Sequence, residues 1–180
     1  MASLTTRWLS GTVPGTADEL TADLAVACRK ALSDQTPLTF VALELTGVEA
    51  IRSIEGPTVA DHLVSTVAST LRRLSRRDRQ LEAYRTGPVD FAMLLRQTTV
   101  GEALVVAAAV RQRIISYAAP LDATLGLAVH HPRWCPDAEG LREAGLATLA
   151  QARQLGGNRV LAGVVSGGEW TWLDGPAAVL

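Results

Sequence analysis

The chain lacks most of the features that would place it outside the ordinary globular class. It has two cysteines, Cys28 and Cys135, far apart and without metal-ligand spacing. A disulfide scaffold or a zinc module is therefore not expected, and two reduced thiols are the simpler reading. No charge of one sign dominates: 17 basic residues oppose 18 acidic ones, for a net charge of -1. A balance of that kind supplies no global field toward nucleic acid or an anionic membrane. Lysine is almost missing, with Lys30 alone against sixteen arginines, which reads as codon bias rather than function. Long hydrophobic runs are absent too. The longest, Ala103 to Val110, falls far short of the roughly 18 residues that cross a bilayer. The N-terminus has no apolar signal core, and no internal repeat or low-complexity segment appears. The expectation is a soluble, cytoplasmic protein with no membrane span and no nucleic-acid partner.

What is present is periodic. A length of 180 residues with 48% hydrophobic content suits one domain with a short extension. We expect residues 1–36 to be a lead-in and a helix, and 37–180 to be the globular domain. Thr16-Ala17-Asp18-Glu19 fits a capping box, and the apolar spacing behind it predicts a helix to about Ser33. Phe40-Val41-Ala42-Leu43-Glu44-Leu45 is a near-continuous apolar run of strand length, as expected for an inner strand covered on both faces. Val48 to Ile54 reads as a short helix stopped by Gly56. Pro57 opens a longer helix that ends near Asp78. Strands follow near 80–86 and 89–96. Thr99-Val100-Gly101-Glu102 caps another helix, Leu121 to His130 is a strand, and Asp137 caps a helix that Gly156-Gly157 closes. Asn158 to Val164 is a strand, and Glu169 to Trp172 one more. The embedded order strand–helix–strand–strand–helix–strand matches the ferredoxin-like motif, so the fold class is α+β: one mostly antiparallel sheet flanked by helices.

The stretch Ala83-Tyr84-Arg85-Thr86-Gly87-Pro88-Val89-Asp90-Phe91 reads as strand, tight turn and strand, with a carboxylate just past the turn. About sixty residues downstream lies Ala152-Arg153-Gln154-Leu155-Gly156-Gly157-Asn158-Arg159-Val160. Together these segments resemble the GGDEF domain, the bacterial diguanylate cyclase module, over roughly residues 37 to 163. That family shares its core with class III nucleotide cyclases. It carries Arg-aromatic-Gly-Gly-(Asp/Glu)-Glu-Phe at a hairpin tip and Ala-Lys-x-x-Gly-x-Asn-x-Val near its end.

The resemblance implies roles residue by residue. Glu44 takes the place of a metal-binding Asp, and Leu45 that of a residue lending its carbonyl. Glu49 falls where the family has a phosphate-binding Lys, and Arg52 where an Asn reads the guanine edge. Asp61 matches an Asp that also binds guanine, and Gly56 matches the family's Gly. At the hairpin Gly87 is kept, Pro88 replaces the second Gly, and Val89 replaces a metal-holding carboxylate. Asp90 stands for the following Glu, and Phe91 is retained. Arg153 replaces a phosphate-binding Lys, Gly157 sits where an Arg is common, and Leu125-Gly126 resembles the family's Ser-Ile-Gly strand. The implied metal ligands are Glu44 and Asp90. The implied nucleotide contacts are Asp61, Arg153 and the backbone at Gly87.

The chemistry of joining two GTP molecules needs hard cations on phosphate, and magnesium needs rigidly placed carboxylate oxygens. Val89 offers no ligand. Glu44 displaces its oxygen by about an angstrom relative to Asp, a scale of error that can cost about 10²-fold in rate. Pro88 removes an N–H and fills space at the tip, and Glu49 adds negative charge where phosphate must bind. The expected function is a degenerate GGDEF-like domain acting as a regulatory binding or interaction module. It would need no cofactor, or magnesium only for residual nucleotide binding. Its partners would be a protein or a second copy, with GTP or cyclic di-GMP as candidate ligands. A weak or altered cyclase using Glu44 and Asp90 is the alternative, and a purely structural dimerisation domain is a third. The family's inhibitory Arg-x-x-Asp would fall on Asp78 and Leu81 and is absent at that spacing.

Other features have plainer readings. Asp90 also fits an exposed hairpin carboxylate, and Arg153 a cation at a helix C-terminus. Arg72, Arg73, Arg76, Arg77 and Arg79 form a dense basic patch. Arg72, Arg76 and Arg79 are expected to share one helix face, as a contact surface or a solvated helix end. His130-His131 lack an evident third metal ligand. Trp170 and Trp172 would share one strand face in a small edge cluster.

Overall fold

The computed structural model describes residues 15–130, 137–166 and 169–174. Eleven elements follow in the expected order among these residues. They are α1 (Ala17–Asp34), β1 (Leu38–Thr46), α2 (Val48–Glu55), α3 (Pro57–Arg77), β2 (Leu81–Arg85), β3 (Asp90–Arg96), α4 (Val100–Ile115), β4 (Asp122–His130), α5 (Ala138–Gln154), β5 (Val160–Ser166) and β6 (Glu169–Asp174). The six strands form one sheet in the order β2-β3-β1-β4-β5-β6. Neighbours are antiparallel except β4 and β5, which α5 joins as a parallel crossover.

Local chemistry explains the element boundaries. Both expected capping boxes form, Thr16 with Glu19 and Thr99 with Glu102, each satisfying two orphan backbone donors. Pro57 occupies the first turn of α3, where its missing N–H is not needed. After α5, Gly156 (φ 105°), Gly157 (φ 66°) and Asn158 (φ 51°) are all left-handed. Such a run of backbone suits two glycines and an asparagine. Their amides close the helix end: Gly157 N–H donates to Ala152 O at 3.0 Å and Gly156 N–H to Arg153 O at 2.9 Å.

β1 is central and almost wholly buried. Its side chains alternate between two cores. Val41, Leu43 and Leu45 face a cluster with α2, α3 and α4. Leu38, Phe40 and Ala42 face a second cluster with α1 and α5. The apolar run lacks alternation because each face is covered. α1 contributes Leu20, Leu24, Ala27, Cys28 and Ala31 to the second core. α5 lies close on the sheet because two positions carry no side chain. A Cβ on Gly145 would collide with the Phe40 ring, and one on Gly126 would lie 2.5 Å from Leu149 Cα and 2.7 Å from Thr148 C.

One expectation about the arginine patch is corrected. α3 ends at Arg77, and Asp78 caps it in extended conformation (φ -118°). The Asp78 carboxylate then accepts from Gln80 N–H at 2.8 Å, and Leu81 N–H donates to Asp78 O at 3.2 Å. Arg72 and Arg76 stay one turn apart on the helix, whereas Arg79 sits in this turn, off their face. The turn wins because Asp bonds its own downstream backbone more readily than it extends a helix. His130 ends β4 and is buried; His131 and Cys135 lie outside the described residues, as does the Trp170 side chain. Trp172, on the edge strand β6, is exposed.

Gly126 leaves no room for a Cβ beneath α5. The colliding atoms are helix backbone, which cannot swing away. Gly126→Ala should therefore destabilise the domain by about 1–3 kcal/mol, the usual range for overpacking. A urea unfolding midpoint equal to or above wild type would show that α5 is not held this close.

Candidate functional site

The site is built where β1, the β2–β3 hairpin and the end of α5 converge. Glu44 and Asp90 are direct partners in the β1–β3 ladder, a relation that places their Cβ atoms about 4.5–5.5 Å apart. Strand parity sets their direction. Glu44 follows Phe40 and Ala42, and Asp90 precedes Ala92 and Leu94, so both carboxylates lie on the α5 side of the sheet. The two expected carboxylates are thus together at one sheet end.

A third group occupies the space between α5 and this strand end. Arg153, in the last turn of α5, makes a bidentate ion pair with Glu44, using Nε and a terminal nitrogen on the two carboxylate oxygens. Glu44 is 17% exposed and Arg153 51%. Asp90 feels burial first, then repulsion from Glu44, and these push its carboxyl above the usual value while Arg153 pulls back. The cluster is two acids and one permanent cation.

The hairpin tip is closed upon itself. Thr86 and Gly87 N–H groups donate to Asp90 O at 3.0 and 3.2 Å, and Leu45 N–H donates to Val89 O at 3.0 Å. Arg85 donates to Gly87 O at 3.1 Å and Pro88 O at 2.8 Å. Its guanidinium also stands 6.0 Å from the Phe91 ring centroid, at the outer limit of a cation–π contact. Gly87 gives room, but Asp90 fills it: a Cβ there would lie 3.1 Å from Asp90 Cβ and 3.2 Å from its Cγ. Val89 packs against the core shared with α2, α3 and α4.

At the second expected contact, Arg52 donates to Asp61 at 3.0 Å and to Glu49 at 3.4 Å. Asp61 and its would-be base-reading neighbour are thus engaged with each other at the α2–α3 junction. Asp61 is 67% exposed, so the pair is a surface bridge of small worth. Sequence reasoning identified Arg52 and Asp61 separately, and only the angle between two helices brings them together. Arg85 as a clamp on the tip was also missed, although its place one residue before the turn was a signal.

Magnesium does not fit the residues present. Both Glu44 oxygens face the Arg153 guanidinium, and Val89 is a half-buried aliphatic residue that offers no ligand atom. Among the described residues no three His, Cys, Asp or Glu side chains form a group that could hold a metal ion. Hard cations need several oxygen ligands, and a guanidinium already supplies the positive charge here.

The raised Asp90 carboxyl has a pH consequence. A folded acid above its unfolded value favours the protonated state in the fold. Stability is then highest at acid pH and declines as pH rises toward the folded value. Asp90→Asn should raise the unfolding midpoint at pH 7, and its advantage should vanish at acid pH, where wild-type Asp90 is protonated in both states. A midpoint lowered at pH 7 would mean that Asp90 is needed as an anion for Arg153.

With this geometry in place, comparison with known proteins gives a consistent result. The family profile described as "Diguanylate cyclase, GGDEF domain" matches residues 18–159. No curated protein matches the sequence. The fold is similar to the GGDEF domain of DgcB from Caulobacter crescentus in complex with c-di-GMP: TM-score 0.75 at 20% identity, over 85% of this chain and 91% of that one. It is similar to the active GGEEF domain of a diguanylate cyclase from Vibrio cholerae, with TM-score 0.74 at 21% identity over 84% and 99% of the two chains. It is also similar to the diguanylate cyclase SiaD in complex with its activator SiaC from Pseudomonas aeruginosa, with TM-score 0.72 at 17% identity over 83% and 58%. No helix among the described residues is long and apolar enough to cross a membrane. The hairpin with its paired acids, the sheet order and the profile match lead to one conclusion: this chain belongs to the GGDEF domain family.

Proposed function

We propose that this GGDEF domain makes no cyclic di-GMP and works as a binding or interaction module in a cytoplasmic signalling assembly. The observation that carries the reading is the Glu44–Arg153 ion pair. It sets a permanent cation on one of the two strand-end carboxylates expected to meet a metal. Val89, half-buried against the core and without a ligand atom, and Asp90 folded over Gly87 support it. The Arg52–Asp61 bridge similarly engages the group that would read a base. Any remaining nucleotide contact would have to open these pairs, and each competes with ligand for the same charges.

The partner is a protein or a second copy of the chain. One structural relative, SiaD, is seen in complex with its activator SiaC, which supports partner contact as a use for this fold. The rival reading is a weak cyclase that uses Glu44 and Asp90. Purified protein incubated with GTP and magnesium or manganese should give no cyclic di-GMP above background. Product that disappears in Glu44→Ala would overturn the proposal in favour of the enzyme. Thermal shift against GTP and cyclic di-GMP separates residual nucleotide binding from a purely structural dimerisation domain, for which neither ligand should raise the melting temperature.

A further inference from the structure

Outside the family site, a cleft of about 320 Å³ lies at the other end of the sheet. It opens between the C-terminal half of α1, the start of β1, the turn before β2 and the end of β3. Five residues of β1 lie between Leu38 in its floor and Glu44, about 20 Å of strand. Its floor is apolar, formed by Ala27, Ala31 and Leu38, and its rim carries Lys30, Arg79 and Arg96.

The rim is built rather than accidental. Arg79 is held in the Asp78–Leu81 turn by the bonds described above. Arg96 N–H donates to Gln80 O and Gln97 N–H to Pro37 O, both at 2.8 Å. Gln80 donates to the Gln97 side chain at 3.3 Å. Three separate segments are thereby fixed around one opening. Two of the cations already have a carboxylate: Lys30 meets Asp34 and Arg96 meets Glu82, each at 2.7 Å. Arg96 still has N–H groups beyond the one it gives to Glu82. Arg79 is exposed and makes no hydrogen bond or ion pair with the described residues. Among the lining residues three cations, Lys30, Arg79 and Arg96, stand against one acid, Asp34, while Glu82 and Asp78 adjoin the rim through Arg96 and Gln80.

We propose that this cleft binds a small organic anion, with one phosphate or carboxylate held by Arg79 and Arg96 and an apolar body resting on the α1 floor. Its size lies at the lower end of ligand pockets, which are typically about 300–1,000 Å³, mostly apolar and oriented by a few polar groups. A guanidinium fork matches a planar or tetrahedral oxyanion. The cleft is separate from the Asp78/Leu81 spacing noted in the sequence. Leu81 points to the opposite face, into the core with α3, whereas Arg96, two residues on from Leu94, lies on the α1 face.

Phenyl phosphate is a suitable probe, since it combines a ring with a single phosphate. Chemical-shift titration should show saturable binding that moves the resonances of Lys30, Arg79 and Arg96. Arg79→Ala should weaken binding about tenfold or more, as loss of a charge-assisted bond implies. Arg79→Lys should fall between, because it keeps charge but loses the fork. Arg113→Ala, on α4 against the opposite face of the sheet, should leave binding unchanged. Benzoate binding alongside phenyl phosphate would assign a carboxylate-tolerant site, and its failure a phosphate-selective one; both support the proposal. No saturable shift at about 10 mM probe, or binding unaltered in folded Arg79→Ala, would overturn it. Inorganic phosphate binding as tightly as phenyl phosphate would overturn it as well, because the rim would then hold an adventitious ion only.

Discussion

Burial of β1 on both faces is the constraint from which the rest follows. A strand has two sets of side chains and no third choice. Once Val41, Leu43 and Leu45 are committed to the α2–α3–α4 core, Phe40 and Ala42 must meet α1 and α5. Glu44 then has to emerge on the α5 side. The antiparallel register with β3 does the same for Asp90. A slip of one residue would turn both carboxylates into the other core. The geometry of the candidate site is therefore an outcome of hydrophobic packing at about 1.5–3 kcal/mol for each large buried side chain, and not of attraction among its charged members.

The charged members are arranged to cope with that placement. Two acids opposite each other in a ladder repel, and partial burial adds to the cost of ionising Asp90. Arg153 offsets this from the last turn of α5, where a cation is also favoured by the helix dipole. Its position is set by the left-handed closure at Gly156 and Gly157, and by the close approach of α5 at Gly126 and Gly145. Small residues far from any charge thus determine how an ion pair forms across 109 positions of sequence.

A second polar network ties the first helix to the hairpin. The buried Tyr84 hydroxyl lies 2.8 Å from an Asp23 oxygen and 3.1 Å from a Glu82 oxygen. Burial, then the nearby carboxylates, hold its proton far more tightly than usual. Glu82 in turn meets Arg96 at 2.7 Å. Gly15 adds to the same edge, donating to Ala83 O at 3.0 Å and accepting from Arg85 N–H at 2.7 Å. The edge strand β2 is partly covered by this segment, which limits its unpaired backbone. The hairpin is thereby connected to α1, to the cleft rim and to the site at its own tip.

The sequence by itself determined the elements, because their signals are local. Capping boxes at Thr16 and Thr99, Pro57 at a helix start, paired glycines at a helix end and an unbroken apolar run each act within a few residues. It also determined the family, through short motifs with characteristic spacing, and put Glu44 and Asp90 at one sheet end through the strand order that the family implies. Only the tertiary structure decided what those residues do. That Arg153 meets Glu44, that Arg52 meets Asp61, that Asp90 fills the space over Gly87, and that Arg79 leaves the Arg72–Arg76 face for a cleft with Arg96 all depend on angles between elements and on one capping turn. Those contacts join positions far apart in the chain, and long, flexible charged side chains carry no periodic signal that would announce their partners.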